Sequence, residues 1–368
     1  MKMLSDRVMQ VRPSGVRKIF DLAQKVKNPI NLSIGEPDFD IPDLVKNEGI
    51  EWINKGFNKY TPSGGIPELR EKVLQQLKSK GIICDDVIIT AGVTGGLLLA
   101  LMTTLNPGEE VVIPDPYFVL YEYQVAFLGG KPRFFNTYPD FTIREDELRA
   151  AITDKTRIIL INSPNNPTGM VNSREELEMV ARVAREKDLI VFSDDIYDRF
   201  IFDDDYREKP YLGQFYEKTI TFGGFSKTWG MTGWRLGYVA GPSEVIQCMI
   251  TMQQYAFSSV TSFAQKAALV ALDYNVNGMI DSYRRKRDLI YDGIKDKYNV
   301  VKPKGAFFIF PEVPGGKDSM AFVERALENN LFIIPGSVFS SRDSHVRISF
   351  AASEENLLKG IDILRKLA

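Results

Sequence analysis

One lysine stands in surroundings that would make it a nucleophile. Lys227 lies between Gly223-Gly224-Phe225-Ser226 and Thr228-Trp229-Gly230, small and apolar company that would strip water from an ammonium group. Desolvation lowers an amine's pKa and leaves a neutral nitrogen that attacks carbonyl carbon. A short step further on, Arg235 sits in Thr232-Gly233-Trp234-Arg235-Leu236-Gly237-Tyr238. A cation near a nucleophilic lysine, faced by Gly-rich backbone amides, suits a phosphate ester. Together these groups fit a carbonyl cofactor that carries a phosphate, pyridoxal 5'-phosphate held as a Schiff base. A P-loop is excluded, because its lysine follows glycine and here Ser226 precedes Lys227.

The scarce residue types narrow the chemistry further. His345 is the single histidine, and Cys84 and Cys248 are the two cysteines. They cannot build the usual four-ligand zinc site or a disulfide framework. His345 opens the run His345-Val346-Arg347-Ile348-Ser349-Phe350 and reads as a strand-end residue rather than a catalytic base. Lysine, tyrosine, carboxylates and a cofactor are left to carry any reaction.

These groups need a scaffold. Val87-Ile88-Ile89-Thr90, Glu110-Val111-Val112-Ile113, Arg157-Ile158-Ile159-Leu160-Ile161, Leu189-Ile190-Val191-Phe192 and Thr219-Ile220-Thr221-Phe222 are apolar runs without alternation. Such runs mark strands buried on both faces, as in a parallel sheet covered by helices. Helical stretches lie between them, for example 173–187, where Ser173 and Glu176 have capping-box spacing. The repetition predicts an open α/β sheet.

Ligands of open parallel sheets bind beyond the carboxyl ends of the strands. Just past the five predicted strands stand Gly92-Val93-Thr94-Gly95-Gly96, Pro114-Asp115-Pro116-Tyr117-Phe118, Asn162-Ser163-Pro164-Asn165-Asn166-Pro167-Thr168-Gly169, Ser193-Asp194-Asp195-Ile196-Tyr197 and Gly223-Gly224-Phe225-Ser226-Lys227. Amides, an aromatic ring, an amide side chain, a carboxylate, a phenol and the lysine would thus converge on one edge. Taken singly, a Gly-rich turn is packing, Asn-Asn-Pro-Thr-Gly is a turn, and a carboxylate after a strand is a helix cap.

The 368 residues exceed one small core, at roughly 150 residues per domain. The C-terminal part changes character near residue 285. It begins with the basic run Arg284-Arg285-Lys286-Arg287, read as a solvated helix face, and continues through Lys304-Gly305-Ala306-Phe307-Phe308-Ile309-Phe310 and a final helix from Ser353. A balance of 46 Lys+Arg against 48 Asp+Glu leaves no excess base for a nucleic-acid footprint. The first twelve residues lack the apolar run of a signal peptide, and no stretch reaches the ~20 apolar residues of a membrane span. The expected location is the cytoplasm, with no membrane and no nucleic-acid partner.

The motifs then add up to a resemblance. Ser226-Lys227 followed by Met231-Thr232-Gly233-Trp234-Arg235-Leu236-Gly237-Tyr238 resembles the lysine signature of class I/II aminotransferases, of pyridoxal-phosphate fold type I. Gly35-Glu36-Pro37-Asp38-Phe39, Tyr60-Thr61-Pro62-Ser63-Gly64, the 162–169 run, Asp194-Asp195-Ile196-Tyr197, Lys304-Gly305-Ala306-Phe307-Phe308 and Arg347-Ile348-Ser349-Phe350 extend it over nearly the whole chain. Archaeal and bacterial aspartate or aromatic aminotransferases are similar in style.

The resemblance implies a large pyridoxal-phosphate domain over 31–284, with a mostly parallel seven-stranded sheet flanked by helices. It implies a smaller α+β domain from 1–30 and 285–368. Lys227 would form the Schiff base and shuttle the substrate proton, and Asp194 would pair with the pyridine nitrogen. Tyr197 and Asn166 would bond the ring oxygen, and Phe118, where many relatives carry Trp or Tyr, would stack on the ring. Arg235, Ser226, Val93 and Thr94 would hold the phosphate, with Tyr60 arriving from the second subunit of a homodimer. Arg347 would clamp the substrate carboxylate beside Gly35 and Asn166. The implied reaction moves an amino group from an α-amino acid, aspartate or aromatic, to 2-oxoglutarate. A C–S lyase on the same scaffold is the alternative; a DNA-binding regulator is set aside because only about 30 residues precede the motif at Gly35. The segment 4–20, with Val8, Val11, Val16, Ile19 and Phe20, is expected either to close over the pocket as a lid or to pack on the small domain.

Overall fold

The computed structural model describes residue 3, residues 29–203 and residues 209–368. The expected lid, 4–20, lies outside the described residues. The first strand, β1 (Ile30–Asn31), belongs to a small C-terminal assembly treated below. The central sheet contains β2 (Asp86–Thr90), β3 (Glu110–Asp115), β4 (Lys131–Asn136), β5 (Thr156–Asn162), β6 (Ile190–Asp194), β7 (Thr219–Gly224) and β8 (Gly237–Gly241). Their order across the sheet is β2-β8-β7-β6-β5-β3-β4. The pairs from β7 to β4 are parallel, whereas β8 runs antiparallel to both β2 and β7.

The five apolar runs form β2, β3, β5, β6 and β7, within a residue or two of the expected limits. Their side chains are buried on both faces because helices cover both: Ile88, Leu160, Phe192 and Phe222 pack into one apolar cluster, and Ile159, Ile161 and Val191 into another. Helix Gly92–Thr104 is apolar around its whole circumference and lies buried against the sheet. Helix Arg174–Glu186 is amphipathic, and its start carries the predicted box: Glu176 N–H donates to Ser173 Oγ at 3.2 Å, and Ser173 N–H to Glu176 Oε2 at 2.7 Å.

The C-terminal part builds two further sheets. β9 (Phe308–Ile309), β11 (Ile334–Pro335) and β12 (Val346–Ser349) form an antiparallel sheet in the order β11-β12-β9. β10 (Leu331–Phe332) pairs in parallel with β1. The apolar stretch 331–335 is thus divided between two strands, each serving a different partner. A boundary near residue 285 falls inside helix Asn277–Ile294, which continues unbroken across it.

That helix corrects one reading. Lys286 and Arg287 do not form a solvated face; both are buried. An α-helix turns about 100° per residue, so a run of four bases cannot all face water when one side is packed. Lys286 Nζ meets Asp38 Oδ2 at 2.5 Å, and Arg287 Nη1 meets Asp203 Oδ1 at 2.9 Å. His345 is buried among Phe310, Phe141 and Tyr138, and burial pushes its imidazole down to about 4. Among the described residues, no helix is long and apolar enough to cross a membrane, and no group of three or more His, Cys, Asp or Glu could hold a metal ion.

Candidate active site

The carboxyl ends of β5, β6 and β7 supply the floor of a cleft of about 430 Å³. Asn162 ends β5 and Asp194 ends β6, while Ser226 and Lys227 follow β7. Helix Gly92–Thr104 brings Val93 and Thr94 to the cleft, and Phe118, Asn166, Tyr197 and Arg235 also line it. Gly35 and Arg347 line it too, Gly35 against Lys227 and Arg347 against Asn166. Every expected site residue except Tyr60 therefore lines one cleft. Tyr60 lies outside it and is 87% exposed.

Lys227 Nζ donates to the carbonyl oxygen of Gly35 at 2.6 Å. Burial pushes its pKa down to about 8; Arg347 and Arg235 push in the same direction, against the pull of Glu36 and Asp194. This is the desolvated amine that the flanking small residues foretold. Asp194 Oδ2 accepts from the Tyr121 hydroxyl at 2.7 Å, and Oδ1 accepts from Ile196 N–H at 3.1 Å. Burial raises its carboxyl to about 6 despite both bonds. Asn162 Nδ2 donates to the Asp194 carbonyl at 2.8 Å and Asn162 Oδ1 accepts from Asn166 N–H at 2.9 Å, so one amide fixes two neighbours. Burial lifts the Tyr197 phenol above its ordinary value, so it remains a hydroxyl.

The two arginines differ in setting. Arg347 is buried, with its guanidinium 4.6 Å from the Phe308 ring centre and 4.5 Å from that of Phe339. Nη1 donates to Asn166 Oδ1 at 3.1 Å and Nη2 to the Ser33 carbonyl at 2.7 Å, whereas Nε has no partner among the described residues. Arg235 is exposed and has left-handed backbone, φ 56°. That turn lays its guanidinium on the N-terminus of helix Gly92–Thr104. A Cβ built on Gly92 would lie 2.6 Å from Arg235 Nη2, and φ of 69° at Gly92 also favours glycine. A helix N-terminus with an arginine against it is an anion site.

These features fit pyridoxal phosphate. A buried carboxylate lacks a contacting cation among the described residues, a desolvated amine waits nearby, and the Gly92 cradle faces an arginine. The donor set supplies one partner for each functional end of such a molecule. The sequence did not single out Tyr121, Asn162 or Phe339. Tyr121 shares its neighbourhood with Tyr117 and Tyr123, and only the three-dimensional path of helix Leu120–Phe127 selects it.

A cleft at the carboxyl edge of a mostly parallel seven-stranded sheet, with a lysine beyond one strand and an aspartate ending its neighbour, defines a fold type I transferase. The sequence matches the family described as aminotransferase class I and II over residues 27–364. It is 38% identical to a probable aspartate aminotransferase of Methanocaldococcus jannaschii, over 99% of this chain and 100% of the relative. It is 42% identical to aromatic-amino-acid aminotransferase 2 of Thermococcus litoralis, over 99% of this chain and 98% of the relative. The solved aspartate aminotransferase of Thermus thermophilus with maleate superposes with a TM-score of 0.94 at 35% identity, covering 100% of both chains. The chain belongs to the class I and II aminotransferases, and it is a transaminase.

Proposed function

We propose that the protein uses pyridoxal 5'-phosphate attached at Lys227 to move an amino group from aspartate or an aromatic amino acid to 2-oxoglutarate. The observation that carries this reading is Lys227 itself: a buried amine depressed to about 8, sharing one cleft with a buried aspartate and two arginines. The names of the relatives, aspartate and aromatic aminotransferases, support the donor class.

Each residue then has a task. Asp194 holds the ring nitrogen, Tyr197 and Asn166 the ring oxygen, and Phe118 the ring face. Arg235, Ser226 and the amides at Val93 and Thr94 hold the phosphate. The bound cofactor supplies an electron sink for the charge left on the substrate's Cα. Lys227 Nζ receives the Cα proton, because a neutral amine near its pKa both takes and returns protons efficiently. Arg347 Nε, a buried donor without an acceptor, is reserved for the substrate α-carboxylate, with Gly35 beside it. The phenyl rings on both sides of Arg347 keep water away and hold the guanidinium plane fixed. Two copies share their sites, with the exposed Tyr60 of each reaching its partner's phosphate end.

Borohydride reduction of the cofactor-loaded protein, followed by peptide mapping, tests the assignment. Label on the peptide containing Lys227 is expected; label on another lysine removes the basis of the reading. Transfer from a panel of amino acids to 2-oxoglutarate, without release of ammonia and pyruvate, tests the reaction.

A further inference from the structure

Tyr121 comes from helix Leu120–Phe127, and its ring is only 2% exposed. It stands edge-on to Phe118, with ring centres 5.7 Å apart and planes at 88°. That contact and the buried cluster around it leave the hydroxyl aimed at one group, Asp194 Oδ2. The second oxygen of Asp194 is tied to the Ile196 amide. The carboxylate is therefore held by two neutral donors at separate oxygens, and its plane is set before any ligand arrives. Around it, Asp195 and the Tyr197 hydroxyl face it as acid groups and Lys227 as a base. Burial and the Asp194 charge drive the Tyr121 phenol far above its ordinary value, so Tyr121 donates a hydrogen bond at every working pH and never competes for Asp194's proton.

We propose that Tyr121 is a positioning residue that acts through Asp194: its hydroxyl orients the carboxylate and draws electron density from it, so that a proton shared with a ring nitrogen rests on the nitrogen. This rests on the reading of the cleft as a pyridoxal-phosphate site. The physical basis is that a hydrogen bond to the charged form of an acid favours that form. Remove the donor and Asp194 becomes the stronger base, which pulls the shared proton away from the ring.

The test uses two variants and two readouts. Tyr121→Phe deletes the hydroxyl and keeps the ring; 3-fluorotyrosine at position 121 keeps the hydroxyl and strengthens it as a donor. In the cofactor-free protein, Asp194 is titrated by infrared difference spectroscopy with ¹³C-carboxyl aspartate, using Asp194→Asn to identify its band. Tyr121→Phe is expected to raise the proton affinity of Asp194 roughly tenfold, the scale of one hydrogen bond to a charged group. The fluorinated residue is expected to lower it. Pyridoxal phosphate labelled with ¹⁵N in the ring is then added, and the nitrogen shift should report a smaller protonated fraction in Tyr121→Phe than in the parent.

A purely structural role would give the same direction for both variants, or none. An Asp194 titration unmoved in a folded Tyr121→Phe protein overturns the proposal, as does a fluorotyrosine shift of the wrong sign. Should Tyr121→Phe fail to fold, the fluorotyrosine protein still decides by its sign. If the parent protein binds no pyridoxal phosphate at Lys227, the reading of the cleft fails, while the cofactor-free titration still judges Tyr121.

Discussion

Asp194 and Asp195 are consecutive, both are buried, and they face two differently built regions. Behind the strand end, Asp195 and Asp198 are each closed on a lysine. Asp195 Oδ1 accepts from Lys209 Nζ at 2.6 Å and Oδ2 from Ser193 Oγ at 2.9 Å. Asp198 Oδ2 accepts from Lys80 Nζ at 2.7 Å and from the Tyr211 hydroxyl at 3.2 Å. Both lysines also lie over the Tyr211 ring, at 4.0 Å for Lys209 and 4.8 Å for Lys80. In front, among the described residues, Asp194, Lys227 and Arg347 bond only to neutral groups, and Arg347 Nε has no hydrogen-bond partner. The back region spends its charges on holding the turn. The cleft leaves its charges open, and they destabilise the ligand-free fold until a ligand completes them.

Opposite signs of effect would sharpen this contrast. Lys209→Met leaves Asp195 as an uncompensated buried carboxylate, and a loss of about 3–5 kcal/mol is expected from urea unfolding of the cofactor-free protein. A change under about 1 kcal/mol would break the comparison, since the back region would then not depend on its pairing.

Lys227→Met, nearly isosteric, should instead stabilise the cofactor-free protein, by up to about 3 kcal/mol at pH 7. The folded pKa of about 8 lies below the ordinary 10.5, so the unfolded chain binds the proton more tightly. The cost of the amine is therefore fully present below pH 8 and disappears as the pH rises to 10.5. The advantage of Lys227→Met should shrink across that window; an advantage independent of pH would mean that packing, not charge, is responsible.

Smaller effects probe the open charges through ligands. Arg347→Lys should lower kcat/KM by about 1–3 kcal/mol alike for aspartate and for an aromatic donor, because a forked contact to their common carboxylate is lost. Loss confined to aspartate would make Arg347 a reader of side chains. Tyr60→Phe, at an exposed position, should change stability by less than about 0.5 kcal/mol. Its defect in activity should be partly repaired on mixing with Lys227→Ala subunits, since hybrid dimers regain one complete site. No recovery after verified subunit exchange counts against shared sites.

The central strands were legible because Ile, Val and Leu cluster in β2, β3, β5 and β6, and β7 alternates threonines with Ile220 and Phe222. β4, Lys-Pro-Arg-Phe-Phe-Asn, was hidden by its charges and its proline, which an edge position tolerates. β8, Gly-Tyr-Val-Ala-Gly, was absorbed into the lysine motif, and its antiparallel direction has no signature in five residues. Among the site residues, Lys227 and Arg235 were readable because glycines and apolar residues flank each of them in the sequence. Tyr121 owes its role to Asp194, 73 residues further on, and no local pattern reports that contact. The buried fate of Lys286 was invisible for the same reason: its partner Asp38 lies at the far end of the chain.

The pairing of β1 with β10 carries a further consequence for how the protein comes into being. Ser33, two residues past β1, offers its carbonyl to Arg347 across a separation of 314 residues, and Gly35 offers its own to Lys227 across 192. A ribosome releases Ser33 and Gly35 long before Arg347, which follows Ser33 by 314 residues. The nascent chain can assemble the strand ends around Asp194 while the residue 33–35 stretch still waits for its counterpart. Closing so long a loop is slow, since loop entropy must be overcome before the contact rewards it. The Arg347 end of the cleft is thus its last part to be born, and a chain ended before that residue lacks it altogether.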